Sequence, residues 1–265
     1  MTIVTGGAHG IGGATVRRLA RRGDIVVLND IDPDGAEATR AEVERAGGRC
    51  EVVVGDIVER EVADRLVERA LRVAGRIDVL VNNVGDFRPA SKDFVRSTPE
   101  QWQRLYELNL RHVLDVSHAV LPHMIEQSSG YIVNISTVEA FRGIPGHAAY
   151  SAFNAGVSAF TKSLAVEVAR HGIRVNAIAP DLADSQQTPA AAMLRGKDEA
   201  RIPTWVPVGR FGHVDEYARV IEFLTTDGAS YLTGHTIPVD GGTLAASGWY
   251  ARVDGKGWTN FPQHT

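Results

Sequence analysis

The stretch Thr2-Ile3-Val4-Thr5-Gly6-Gly7-Ala8-His9-Gly10-Ile11-Gly12 decides the fold. A short strand-forming run enters a cluster of glycines, and a helical pattern starts directly after them. A glycine turn between strand and helix brings backbone N–H groups to the positive end of the helix dipole, where a pyrophosphate can sit. Taken alone, the turn also reads as an ordinary tight connection. Eighteen residues past Gly12, Asp30 closes the second apolar run. There a carboxylate can bond both ribose hydroxyls of an adenosine and repel a 2′-phosphate. No Arg or Lys lies within the glycine turn, so NAD (NADH) is the expected cofactor rather than NADP. Gly6, Gly10, Gly12 and Asp30 are its expected contacts, with His9, Ile11 and Ile31 bordering the same site.

Outward from this turn, apolar runs of strand length alternate with segments of helical period. Strands are expected at 2–5, 24–29, 51–55, 78–82, 131–136, 173–179 and 235–239, and helices near 11–22, 34–46, 59–74, 99–127, 149–171 and 215–226. The Val/Ile-rich runs do not alternate with polar residues, which suits strands covered on both faces. Repeated strand–helix units imply right-handed crossovers and a single-domain, doubly wound α/β fold of Rossmann type, with a parallel sheet. No linker or repeat divides residues 1–242. Residues 180–207, rich in Pro, Ala and charge, read as a substrate lid. The tail, 243–265, carries Trp249, Tyr250, Trp258 and Phe261 and is expected to pack on this subunit's pocket or on a neighbour.

Composition removes several function classes. Among 265 residues, 28 Lys and Arg face 32 Asp and Glu, a net charge of −4. Without a basic excess, nucleic acid is not an expected partner. The single cysteine, Cys50, excludes an internal disulfide and a cysteine-based zinc site, and suits a reducing cytoplasm. No stretch approaches the roughly 18 apolar residues of a membrane span, so no membrane association is expected. The opening MTIVTGG does not read as a secretory leader. Asn134-Ile135-Ser136 fits the glycosylation pattern but lies in a strand-like run, and is read as a chance match. Asp30 to Gly35 imitates the start of a calcium loop, yet the twelfth position is Ala41 rather than Glu. The nine histidines lack ligand spacing, so no metal is expected. His112, His118 and His123 read as packing or solvent-facing residues of one helix. Trp102 and Tyr106 share a stripe with Leu105 and Asn109 and are expected in the core.

Further segments, in order, resemble the short-chain dehydrogenase/reductase family. They begin with the Thr5-Gly6-x-x-x-Gly10-x-Gly12 spacing. Asn82-Asn83-Val84-Gly85 stands where the family has Asn-Asn-Ala-Gly, and Asn109 matches its active-site asparagine. Asn134-Ile135-Ser136-Thr137 and Tyr150 follow, then Gly172 to Asn176 leading into Ala179-Pro180. Tyr231-Leu232-Thr233-Gly234 through Val239-Asp240-Gly241-Gly242 closes the series. The likeness spans residues 2 to about 242. It implies a seven-stranded parallel sheet, a dimer or tetramer of identical chains, and NAD(H)-dependent interconversion of a secondary alcohol and a ketone. By the same resemblance Tyr150 is the general acid/base, Thr137 anchors the substrate oxygen where the family has Ser, and Asn109 belongs to a proton relay. Asp56 and Ile57 stand at the adenine contact. Asn83, Val84 and Gly85 lie beside the cofactor, and Pro180, Asp181 and Ser185 beside the nicotinamide. Glu139, two residues past Thr137, and His147, three before Tyr150, are expected to border the substrate.

The chain departs from the family at one decisive position. Four residues after Tyr150 the family has Lys, whose ammonium lowers the tyrosine pKa and binds ribose; here stands Asn154. A free phenol, with pKa about 10, matches neutral pH poorly. A nearby charge shifts a pKa by about 1–3 units, so its loss costs about 10–1,000-fold wherever tyrosinate is needed. Lys162 lies roughly 18 Å further along the helix at about 1.5 Å per residue. Arg142 and His147, from the preceding loop, are the candidates for a substitute cation. A lesser departure is Asp181 in place of the common Gly, an acid that can alter cofactor geometry. Three readings stay open: an NAD-dependent oxidoreductase, a cofactor-binding protein with little or no turnover, and an engineered Lys-to-Asn inactive form.

Overall fold

The computed structural model describes residues 1–194, 196, 198–252 and 256–260; Phe261 lies outside the described residues. Strands β1 (Thr2–Thr5), β2 (Ile25–Asp30), β3 (Arg49–Val54), β4 (Val79–Asn82), β5 (Gly130–Ile135) and β6 (Ile173–Pro180) form in chain order. The two-residue strands β7 (Ala183–Asp184) and β8 (Gly212–His213) follow, then β9 (Thr236–Val239). Seven of these make one all-parallel sheet of order β3-β2-β1-β4-β5-β6-β9.

Side chains alternate across the sheet, so each central strand supplies two cores. Ile3, Val27, Leu80, Ile132 and Val175 face one side, under helices α3 (Arg60–Ala74), α5 (His112–Gln127) and α6 (Ala148–Val168). Val4, Leu28, Val81, Val133 and Ile178 face the other, under α1 (Gly10–Arg22), α2 (Pro33–Arg45) and α8 (Val214–Leu224). This two-sided burial is why the strand sequences are apolar at consecutive positions. The doubly wound, seven-stranded expectation holds.

Two expectations change. The helix expected over 99–127 is broken: α4 (Pro99–Tyr106), opened by a Thr98/Gln101 capping box, passes into a π-turn over Glu107–Arg111 before α5 begins. Such a widened turn re-aims side chains, and it buries Asn109. Trp102 and Tyr106 are half-buried rather than core. Because α4 lies at the surface, Trp102 stacks on exposed Phe94 with ring centroids 4.9 Å apart, and Tyr106 tilts against Phe153. The tail folds as a hairpin of β10 (Tyr250–Ala251) and β11 (Trp258–Thr259), with Trp249 and Trp258 52% and 48% exposed in the single chain.

The segment 180–207 has internal structure. β7 pairs with β8, and the short helix α7 (Ala190–Leu194) and a 3-10 turn over Glu199–Thr204 surround a small core of Leu194, Ile202, Val206 and Phe211. No helix among the described residues is long and apolar enough to cross a membrane.

Toward the carboxyl ends of β4 and β5 lies a buried polar network. Asn82 Nδ2 donates to Asn134 Oδ1 (2.9 Å) and Ser117 Oγ (3.2 Å), while Asn134 Nδ2 donates to Thr161 Oγ1 (2.9 Å). Asn134 is wholly buried, which rules its sequon out as a glycosylation site in the folded chain. Asn134→Ala strips partners from two buried groups and is expected to destabilise the fold by about 1–3 kcal/mol in denaturant unfolding. An unchanged unfolding midpoint would show that the network contributes nothing.

Candidate active site

In an open parallel sheet, ligands bind beyond the carboxyl ends of the strands where the strand order reverses. Here that point lies between β1 and β4. The glycine turn sits over it. Gly6 and Gly10 have φ of +62° and +54°, and a Cβ on Gly12 would fall 1.9 Å from the Gly6 carbonyl oxygen. Asn83, at the end of β4, fastens the turn: its Nδ2 donates to Thr5 O (3.1 Å) and Gly6 O (3.0 Å), and its N–H donates to Thr5 Oγ1 (3.0 Å). No side chain caps α1, and the nearest atom to a Cβ built on Gly10 is Ser185 Cβ at 3.6 Å. An uncapped helix end above an open glycine cradle fits a dinucleotide pyrophosphate.

Asp30 stands where expected, and its carboxylate also organises the chain around it. Oδ2 accepts from Ala8 N (2.9 Å) and Oδ1 from Asp32 N (3.1 Å). His9 reaches out of the turn to Asp32, Nε2 to Oδ2 2.6 Å, and Ile31 lies exposed beside them. Asp32 caps α2 and is held below the ordinary carboxylate range, chiefly by the His9 hydrogen bond. At the expected adenine contact, Asp56 takes a hydrogen bond from Arg104 (3.0 Å). The Ile57 side chain is buried in the core, so it is not available as a surface contact.

The other half of the crevice gathers Thr137, Glu139, His147, Tyr150 and Asn154 from the β5–α6 connection and the first turns of α6. Thr137 Oγ1 bonds the Pro180 carbonyl (3.4 Å) and accepts from Glu139 N (3.3 Å). Ser136 turns to the opposite side and donates to the Asn154 carbonyl (3.1 Å). Asn154 is only 3% exposed, and its Nδ2 donates back to the Tyr150 carbonyl (3.1 Å). Its amide therefore satisfies its own helix. Asn109 clamps the loop after β4, giving Nδ2 to Asp86 O (2.9 Å) and Leu105 O (2.8 Å) and accepting Asp86 N at Oδ1 (3.1 Å).

Tyr150 is pushed above the ordinary phenol range, first by desolvation of its hydroxyl and then by the Glu139 carboxylate, with Asp86 adding to both; the Thr137 hydroxyl opposes them. Of the two substitute cations expected from the loop, Arg142 is turned to Asp181, Nη2 to Oδ2 2.6 Å, and His147 is the one beside Tyr150; Arg88, which follows β4, is paired with Asp86 at 2.6 Å. Asp181 is likewise occupied: Thr243 Oγ1 donates to the same carboxylate (2.5 Å), and Tyr217 Oη donates to the Asp181 carbonyl (2.6 Å). Its acid thus ties three loops together. His147 lies edge-on to Tyr150, ring centroids 6.0 Å apart, and its nitrogens bond Glu139 (3.1 Å) and Ser91 (3.0 Å).

Several residues of the crevice carry no sequence signal. Phe87 touches both the His147 and Tyr150 rings, Ser91 ends the histidine's hydrogen-bond chain, and Gln187 Nε2 donates to the Gly85 carbonyl (3.0 Å), joining the segment 180–207 to the loop after β4. These three lie in irregular segments whose neighbours only the fold supplies. Ser185, which the sequence did single out, pairs with Thr188, Oγ to Oγ1 2.9 Å, beside Gly10. His112 is wholly buried, and desolvation pushes its ring down to about 4, so it stays neutral. Among the described residues no cluster of His, Cys, Asp and Glu could hold a metal ion.

A doubly wound parallel sheet with a glycine-turn cradle and a polar crevice at its switch point defines a dinucleotide-binding protein of the oxidoreductase type. A family model described as enoyl-(acyl carrier protein) reductase matches residues 6–243. The 3-oxoacyl-(acyl-carrier-protein) reductase of Thermotoga maritima is 40% identical over 242 residues, covering 91% of this chain and 96% of its own. Levodione reductase has a similar structure, with TM-score 0.86 and 33% identity over 92% of this chain and 97% of that one. So does 7α-hydroxysteroid dehydrogenase in complex with NADH and 7-oxo glycochenodeoxycholic acid, with TM-score 0.84 and 28% identity over 91% and 92%. The chain belongs to the short-chain dehydrogenase/reductase family of oxidoreductases, whose members bind a nicotinamide cofactor.

Gly12→Ala is expected to weaken NADH and NADPH binding alike by at least about tenfold, or about 1.4 kcal/mol, because the turn cannot close over an added Cβ. Nicotinamide fluorescence titration measures it; unchanged affinity would remove the cradle from the binding site.

Proposed function

We propose that this protein is an NAD(H)-dependent oxidoreductase that interconverts a ketone and a secondary alcohol, with reduction as its natural direction at neutral pH. The observation that carries this reading is the placement of Tyr150: its phenol shares the site with the Thr137 hydroxyl, the His147 ring and the Glu139 carboxylate, while Arg142 and Arg88 of the flanking loops are paired to acids, a setting that favours the protonated phenol. A phenol so held can donate to an alkoxide but is a poor base.

The residues divide the work. Gly6, Gly10, Gly12 and the N-terminus of α1 would hold the pyrophosphate. Asp30, backed by Asp32, would receive the adenosine ribose and repel a 2′-phosphate, which favours NAD over NADP. When bound, the cofactor supplies or accepts the hydride at the carbonyl carbon. Thr137 Oγ1 orients the substrate oxygen, and Tyr150 Oη gives it a proton. Asn109 acts at a distance, fixing the loop that carries Asp86 and Phe87. Glu139 and His147 border the substrate. A relative bound to NADH and an oxo-steroid supports both cofactor and carbonyl class.

A second reading, cofactor binding with little turnover, has one observation in its favour: Asn154 spends its amide on the Tyr150 carbonyl instead of the crevice. Asn154→Lys separates the two. For an enzyme, neutral-pH alcohol oxidation should rise by about 10–1,000-fold in the variant, from the 1–3 units a neighbouring cation contributes. Wild-type oxidation should climb steadily toward alkaline pH, as the phenol loses its proton, while ketone reduction does not need that ionisation. A wild type that consumes neither NADH nor NADPH with any ketone at any pH, beside an active Lys variant, would establish the binding-protein reading.

A further inference from the structure

Tyr150 must recover a proton after each reduction, and neither the paired arginines nor Asn154 offers one. We propose that Ser91, His147 and Glu139 form a proton-relay chain that returns to Tyr150 the proton the phenol gives up, in place of a cation beside it. This rests on the carbonyl-reductase reading above.

The geometry comes from three separate segments. Glu139 lies in the 3-10 turn Val138–Ala140, His147 caps the start of α6, and Ser91 follows the turn Arg88–Ala90 after β4. Glu139 Oε2 is 3.1 Å from His147 Nδ1, and His147 Nε2 is 3.0 Å from Ser91 Oγ. The two inner side chains are 15% and 16% exposed, whereas Ser91 is open to solvent. The chain therefore runs from water to a half-buried carboxyl. A carboxylate on Nδ1 fixes the imidazole tautomer and leaves Nε2 to exchange a proton with the hydroxyl. Phe87 packs against the rings of both His147 and Tyr150, at 5.1 and 6.1 Å between centroids, and those two rings meet edge to face.

The surrounding charges isolate this pair. From the β4 loop comes Asp86, paired with Arg88; from the β5 loop Arg142, paired with the Asp181 that follows β6; from α6 only His147 and Tyr150 itself. Burial raises the Glu139 carboxyl, and Asp181 adds to that, while His147 and Arg142 oppose it.

The proton count closes. In reduction the Tyr150 Oη–H bond breaks and the alkoxide oxygen gains the proton. The phenolate oxygen then takes a proton from the Glu139–His147 pair, and the pair takes one from water through Ser91 Oγ. No electrons move along the chain, and oxidation runs the same steps in reverse.

The test compares the full-length wild type with Glu139→Gln, His147→Gln and His147→Ala. Two readouts are used: tyrosinate absorbance in the cofactor-free protein, with Tyr150→Phe subtracted, and the pH dependence of kcat and KM. In Glu139→Gln, Tyr150 should ionise at a pH lower by roughly one unit, because a neighbouring negative charge is gone. Its kcat at neutral pH should nevertheless fall by at least about tenfold with KM within about threefold, the scale of lost acid–base assistance. Both His147 variants should fall similarly, and added imidazole should restore His147→Ala. An unchanged Tyr150 titration in Glu139→Gln overturns the relay. So does a raised KM with kcat intact, which would make Glu139 a substrate anchor. Should the wild type reduce no carbonyl, the underlying reading fails first, and the titration still decides whether Glu139 and Tyr150 are coupled.

Discussion

The Gly6 carbonyl oxygen occupies the space where a side chain on residue 12 would begin. Much of the molecule follows from that close approach. It requires glycine at position 12, and it lets α1 start directly above the end of β1. Asn83 can then reach both Thr5 O and Gly6 O, which ties the end of β4 to the turn and sets the switch point of the sheet. Two residues on, the Gly85 carbonyl receives Gln187, so the loop after β4 is fastened both to the glycine turn and to the segment 180–207.

The opposite wall of the crevice obeys a charge constraint. Burying a phenol beside a carboxylate disfavours its ionised form, and only a cation or a donor to the phenolate can offset that. The arginines of the two flanking loops are each paired with an acid, Arg142 with Asp181 and Arg88 with Asp86. Asp181 also receives Thr243 from beyond β9, so freeing Arg142 would disturb the junction of three loops. These surroundings favour the protonated phenol, and on the proposed reading that bias toward donating a proton sets the direction of the chemistry.

Strand and helix placement was legible because periodicity and glycine punctuation are local properties. Each of the seven principal strands lies within two residues of where its apolar run placed it. The missing lysine was legible too, since residues four apart share a helix face. What could not be read were features made by neighbours distant in sequence. The π-turn at Asn109 needs the loop at Asp86 as a partner; nothing in the local pattern interrupts the helix. Trp102 and Tyr106 have core-like spacing, but their helix lies at the surface. Asp181 looked like an intruder beside the nicotinamide, yet it is the acceptor for Arg142 and Thr243. The Glu139–His147–Ser91 chain joins three loops, and no spacing rule connects residues 91, 139 and 147.

The central claim is that a protonated Tyr150 delivers the proton to the reduced carbonyl. Following nicotinamide absorbance with a ketone substrate, for the wild type and Tyr150→Phe side by side, tests it most directly. The account predicts that the variant loses about 10²–10⁴-fold in kcat, the scale of general acid catalysis, while binding NADH as the wild type does. Reduction by Tyr150→Phe at a rate within a few-fold of the wild type would contradict it.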